Sequence, residues 1–174
     1  MDGYRIALFL HLCALMAGVG ASGLVLLVML RVRSAATGRE ALPWLALGKS
    51  AARTFPVALV VLVATGAYMV QHSWTWGTGW VDVGLAGAVL LGVVGDRLEG
   101  RTARRVAASL AADPDAPAAA VVRSGIWWTA TLVNPAIVVG IVFLMATKPS
   151  LAGSIGALVV AILVGGAVGW RLGG

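Results

Sequence analysis

The feature that most constrains this chain is where its charges are absent. Five long apolar stretches lie between Tyr4 and Trp170, and the only Asp, Glu, Lys or Arg within them are Arg5 and Asp82, each at an end of its stretch. A bilayer core takes about 20 helical residues. Lipid offers no hydrogen-bond partner to an open backbone, so such stretches must be helices. The pattern predicts an all-α, polytopic transmembrane bundle with five spans: Tyr4–Leu30, Phe55–Gln71, Val81–Gly95, Ile126–Ala146 and Leu151–Trp170. The third is short and extends into the segment behind it. The first is far longer than the apolar region of a signal peptide, about 7–15 residues, and reads as a retained span. No polar stretch is long enough for a separate soluble unit, so residues 1–174 read as one integral membrane domain. With 11% charged residues, against roughly 25% in soluble domains, the chain cannot cover itself with a polar surface.

Basic residues set the orientation. Arg31, Arg33, Arg39, Lys49 and Arg53 lie between the first two spans. Arg97, Arg101, Arg104, Arg105 and Arg123 lie between the third and fourth, and Arg171 follows the fifth. That puts eleven of the thirteen Lys and Arg on one side, with Arg5 and Lys148 on the other. The positive-inside rule makes the crowded side cytoplasmic, with the N-terminus outside and the C-terminus inside, as five spans require. The expected location is the bacterial inner membrane. The net charge of +6 is thereby spent at the lipid surface, and the partner it implies is the bilayer rather than nucleic acid.

Trp74, Trp76 and Trp80 crowd the outer loop, while Trp127, Trp128 and Trp170 mark inner span ends. Most of the seven tryptophans read as interfacial anchors, with Trp44 on a short interfacial helix. After the third span, Leu98, Thr102, Val106 and Leu110 recur every four residues, so the helix is expected to run on until Asp113-Pro114-Asp115 stops it. Small residues recur at spacing four: Ala14, Gly18 and Ser22; Gly84, Ala88 and Gly92; Gly165 and Gly169. Such faces let helices approach closely. They leave open whether the neighbour is the same chain, a second copy or another membrane protein.

Polar residues inside the spans are the candidates for chemistry. His11 shares a helix face with Gly18 and Ser22, at spacings of seven and eleven, so it points into the bundle. Thr65, Met69 and His72 share a face of the second span. His11, His72 and Met69 gather in the outer leaflet. Imidazole and thioether ligands suit copper, and two imidazoles suit haem b. A structural role for both histidines stands beside that reading. Asn134-Pro135 interrupts the fourth span, and proline there frees the carbonyl of Thr131 and bends the helix. The kink either lines a cavity or is a packing bend. The acids nearest the spans are Asp82 and Asp96, at span ends, so a proton-coupled transporter and a hydrolase are both disfavoured. The balance is against an enzyme.

Leu8-Phe9-Leu10-His11, then Gly18 and Gly20, then Ala64-Thr65-Gly66-Ala67-Tyr68-Met69, resemble a family of small bacterial integral membrane proteins of unknown function. That family is similar to the copper-resistance protein D family and, more distantly, to HemJ-type protoporphyrinogen oxidases. His11, Gly20 and Thr65-Gly66-x-Tyr68 match its pattern, Gly18 stands where it has tryptophan, and Ala21 replaces its second glycine. The resemblance covers roughly the first 70 residues and implies His11 as a ligand of haem or copper. Three expectations follow: haem b or copper handling near the outer face through His11, His72 and Met69; a cofactor-free accessory subunit binding a partner through its glycine faces; or a small-molecule permease working through Thr131, Asn134 and Pro135.

Overall fold

The computed structural model describes residues 2–118 and 125–173; Arg123 of the basic set lies outside them. The described residues are helical with no strand. In chain order they form α1 (Gly3–Ser34), α2 (Gly38–Ala52), α3 (Thr54–Ser73), α4 (Gly79–Val94), a π-helical turn (Gly95–Gly100), α5 (Arg101–Ala112), α6 (Gly125–Thr147) and α7 (Leu151–Gly173). Four helical stretches are long and apolar enough to cross a membrane: Gly3–Ser34, Gly38–Ser73, Gly125–Thr147 and Leu151–Gly173. The expected third span corresponds to α4. By itself α4 has 16 residues, but its backbone stays helical through the π turn into α5. The helix therefore runs on to Ala112 and stops before Asp113, as its apolar spacing predicts.

Contacts between helix ends sort the molecule into two poles. At one, Gly79 meets Leu151 and the Lys148 ammonium sits 4.4 Å from the centre of the Trp74 ring. At the other, Arg33 donates to the Leu172 carbonyl and Gly173 lies against Gly125. The turn at the first pole depends on Gly77, whose φ of 86° suits a residue without Cβ. Lys148 also takes a left-handed backbone, φ 49°. Its amide closes α6 by donating to the Leu144 carbonyl at 2.8 Å, a C-terminal cap of the αL kind.

α6 and α7 pack along a glycine seam. A Cβ on Gly165 would lie 2.8 Å from the Ala136 Cβ, and one on Gly169 would lie 2.5 Å from the Thr129 Cα. The Gly165/Gly169 face is therefore buried against this chain's own α6. α1 packs on α3, where the Gly18 position is 3.9 Å from the Ala58 Cβ. Ser22 bonds back to the Gly18 carbonyl at 3.0 Å, which satisfies its hydroxyl within α1.

The densest core sits at the basic pole. There α2 and α5 fold over the helix ends and bury Met29, Val32, Ala41, Leu110, Trp127 and Trp128. This differs from the expected anchoring role of Trp127 and Trp128, which are 2% and 1% exposed. The reason is that residues of α1, α2 and α5 pack over these rings. Trp44 lies on α2 as expected, under the Arg31 guanidinium at 5.6 Å. Trp76 and Trp170 stay exposed, consistent with interfacial rings. Arg39 and Asp115 join α2 to the loop after α5 at 2.9 Å. Both are largely exposed, so the pair adds little stability.

Candidate functional site

A polar cluster forms beside Pro135, inside α6. Pro135 has no amide to offer the Thr131 carbonyl, and Thr131 and Asn134 project from the turn just before it. Facing them is Glu99, carried on the π turn between α4 and α5. The Asn134 Nδ2 donates to Glu99 Oε2 at 2.8 Å. The Thr131 hydroxyl lies 3.3 Å from Glu99 Oε1 and 2.9 Å from the Met29 sulfur of α1. One hydroxyl has one proton, so Thr131 serves the carboxylate or the sulfur, not both at full strength. The charged acceptor makes the stronger bond. Thr131 is 4% exposed and Met29 1%.

A π turn closes its hydrogen bonds one residue later than an α-helix and tends to occur at functional positions. Glycines flank this one. Gly95 passes so close to α6 that a Cβ would stand 3.5 Å from the Asn134 Nδ2. Asn134 is nine residues into α6, about 13 Å along its axis from the basic pole, so the half-buried Glu99 meets the interior of a helix long and apolar enough to cross a membrane. Among the described residues no cation pairs with it: Arg104 on the next turn faces Asp96 at 4.0 Å. The Asn134 Oδ1 is buried without a hydrogen-bond partner. Beside this cluster, an apolar crevice of about 200 Å³ runs between α4, α6 and α7, lined by residues including Leu98, Thr129, Val133 and Trp170.

Sequence reasoning passed over Glu99 because spacing four from Leu110 leads back to Leu98. Four residues turn a helix by about 400°, so the fourfold series drifts by about 40° a step. Glu99 stands seven before Val106 and eleven before Leu110, the spacings that hold one face. Val106 and Leu110 are buried, whereas Leu98 is 45% exposed. The signal was present, and it pointed inward.

Away from the basic pole, the imidazoles have separate environments. His11 is 5% exposed, with its Nδ1 2.9 Å from the Thr65 hydroxyl oxygen. That hydroxyl's proton goes to main-chain carbonyls of its own helix, Val61 and Leu62, so the imidazole Nδ1 is the donor and Nε2 keeps its lone pair. Gly66 borders the ring, a Cβ there being 3.5 Å from Cε1. His72 is exposed. It donates from Nδ1 to the Tyr68 carbonyl at 2.8 Å and stacks on the Tyr68 ring with centroids 4.0 Å apart. Thr65 and His72 are seven residues apart, about 10 Å along α3. The structure thus brings Thr131 and Asn134 together, pairs His11 with Thr65, and turns His72 back on its own helix rather than toward His11. Met69, one turn beyond Thr65, is only partly buried, and no hydrogen bond draws it toward either imidazole. No group of three His, Cys, Asp or Glu side chains among the described residues is placed to hold a metal ion. The two imidazoles as arranged do not fit a haem bound between them.

No family model matches the chain, and no curated protein and no solved structure matches it. What defines the molecule is its own architecture: a helical membrane protein with a carboxylate carried on a π turn and bonded to the proline-containing turn of α6.

Proposed function

We propose that this is a five-span protein of the bacterial inner membrane, N-terminus outside, that handles a proton or a small cation through Glu99 and so belongs to the transport class. The fifth span is α4, lengthened through the π turn, and the basic pole faces the cytoplasm. The observation that carries the reading is the bond from Asn134 to Glu99 inside the bundle. An ionisable side chain at such depth is costly, and it is typical of ion pathways and proton relays. The π turn and Pro135 supply backbone irregularity of the kind that membrane helices tolerate only where protein or a cavity covers it. The expectation against proton coupling rested on acids confined to span ends, and Glu99 removes that premise. Flux measured in proteoliposomes with an internal pH or cation dye tests the reading. Wild type is expected to dissipate an imposed gradient, with Glu99→Gln slower by tenfold or more; equal rates in the two would contradict it.

A second reading has one observation in its favour. The Nδ1 of His11 is committed as a donor, the arrangement by which proteins orient an imidazole that ligates through Nε2. Haem or copper bound at His11, without His72, would give an absorption band or stoichiometric metal in detergent-purified wild type that His11→Ala loses. A colourless, metal-free wild type grown with ample haem and copper contradicts it.

A further inference from the structure

Resting on the transport reading, we propose that the occupant of the inner site is a proton carried on Glu99, and that Asn134 is the positioning residue that follows it by turning its side-chain amide over. Two observations point this way. The groups bonded to the carboxylate, Asn134 Nδ2 and Thr131 Oγ1, are neutral donors, which suit the ionised form. The other end of the same amide, Oδ1, is buried and unpaired, and a buried acceptor left without a donor is destabilising. A carboxylic acid supplies the missing donor. When a proton from the aqueous phase binds one Glu99 oxygen, the group gains an O–H and loses its charge. No other covalent bond changes. A half-turn of the Asn134 amide then sets Oδ1 against that O–H. The same turn releases Nδ2 from the carboxylate. Asn134 thus has a bonded position for each state of Glu99.

A metal cation suits the same surroundings less well. It needs several oxygens turned toward it, and here both polar neighbours turn a hydrogen toward the carboxylate, with a thioether behind them. The charged groups on the elements packed around Glu99 are exposed. They are Asp96 and Arg97 on its own turn, Arg101, Arg104 and Arg105 on α5, and Asp82 at the far end of α4. α6 carries no titratable side chain. On α1, beyond Met29, Arg31 lies over Trp44 and Arg33 over Trp128.

Infrared difference spectroscopy on the purified full chain tests this over about pH 4 to 10, a range wide enough for a strongly perturbed carboxyl. The expected result is a carboxylic-acid carbonyl band that grows on acidification and is absent in Glu99→Gln. An asparagine amide band should shift with the same midpoint, and both should be unmoved by sodium. Thr131→Val, which removes a donor and little volume, should move the midpoint yet keep the amide shift. Loss of the acid band on adding sodium at fixed pH would make the occupant a metal cation and overturn the proposal. An acid band without the amide shift would overturn the role of Asn134, and no Glu99 band at any pH would overturn the proton. Each outcome is separate from the flux test, in which equal rates for wild type and Glu99→Gln would remove the transport reading even if Glu99 titrates.

Discussion

At the scale of the residue, His11, Thr65, Thr131 and Asn134 are each tied to a partner on another element, and the tie is what can be tested. Thr65 links its own helix to α1 by accepting from His11 and donating to the main chain. Thr65→Val keeps the volume and removes the hydroxyl that accepts from the imidazole, so unfolding should become easier by about 0.5–1.5 kcal/mol. That is measurable as a lowered midpoint in a detergent melt, and an unchanged midpoint would mean that His11 is held by something else. His11, Thr131 and Asn134 were legible in the sequence because an uncharged polar residue inside an apolar run stands out. Glu99 was not, because it falls among Asp96, Arg97 and Arg101, where an acid looks like ordinary cytoplasmic charge. The three-dimensional path of the helix separates Asp96, exposed and facing Arg104, from Glu99, three residues on and turned toward α6, and the only trace of this in the sequence is the spacing of seven and eleven to Val106 and Leu110.

At the scale of the element, long helices announce themselves and their joints do not. α1, α6 and α7 follow from uninterrupted apolar runs, α3 from the run Phe55–Gln71, and α2 from the short helix expected around Trp44. The π turn has no sequence rule of its own; Gly95 and Gly100 permit it without requiring it. The α6–α7 seam was half visible: spacing four marked Gly165 and Gly169 as a packing face, and the structure supplies the neighbour. A leucine at Gly169 would have to enter backbone atoms of Thr129 and Trp128. Overpacking of this kind costs about 1–3 kcal/mol and sometimes more, so Gly169→Leu should lower the melting midpoint strongly. Gly156→Leu, at a position with open space around it, should change it little. Equal effects at both positions would argue against the seam.

At the scale of the whole molecule, charge and topology give one arrangement: a basic pole capped by α2 and α5, and an opposite pole of exposed tryptophans around Lys148. In a Cys13→Ser background, Thr75→Cys should react in intact cells with a maleimide that cannot cross membranes. Ser109→Cys, on the exposed side of α5, should react only after permeabilisation. The reverse pattern would invert the orientation, and labelling of both in intact cells would break the count of five spans. Between the poles the molecule places one carboxylate against the proline-containing turn of α6, and that contact carries the functional account. A double-mutant cycle of thermal or denaturant stability measures it most directly, using Glu99→Gln, Asn134→Leu and the pair. The account predicts a coupling of about 1–3 kcal/mol, the range for contacting residues in one hydrogen-bond network. Effects that simply add would mean that Glu99 and Asn134 do not meet, and would contradict it.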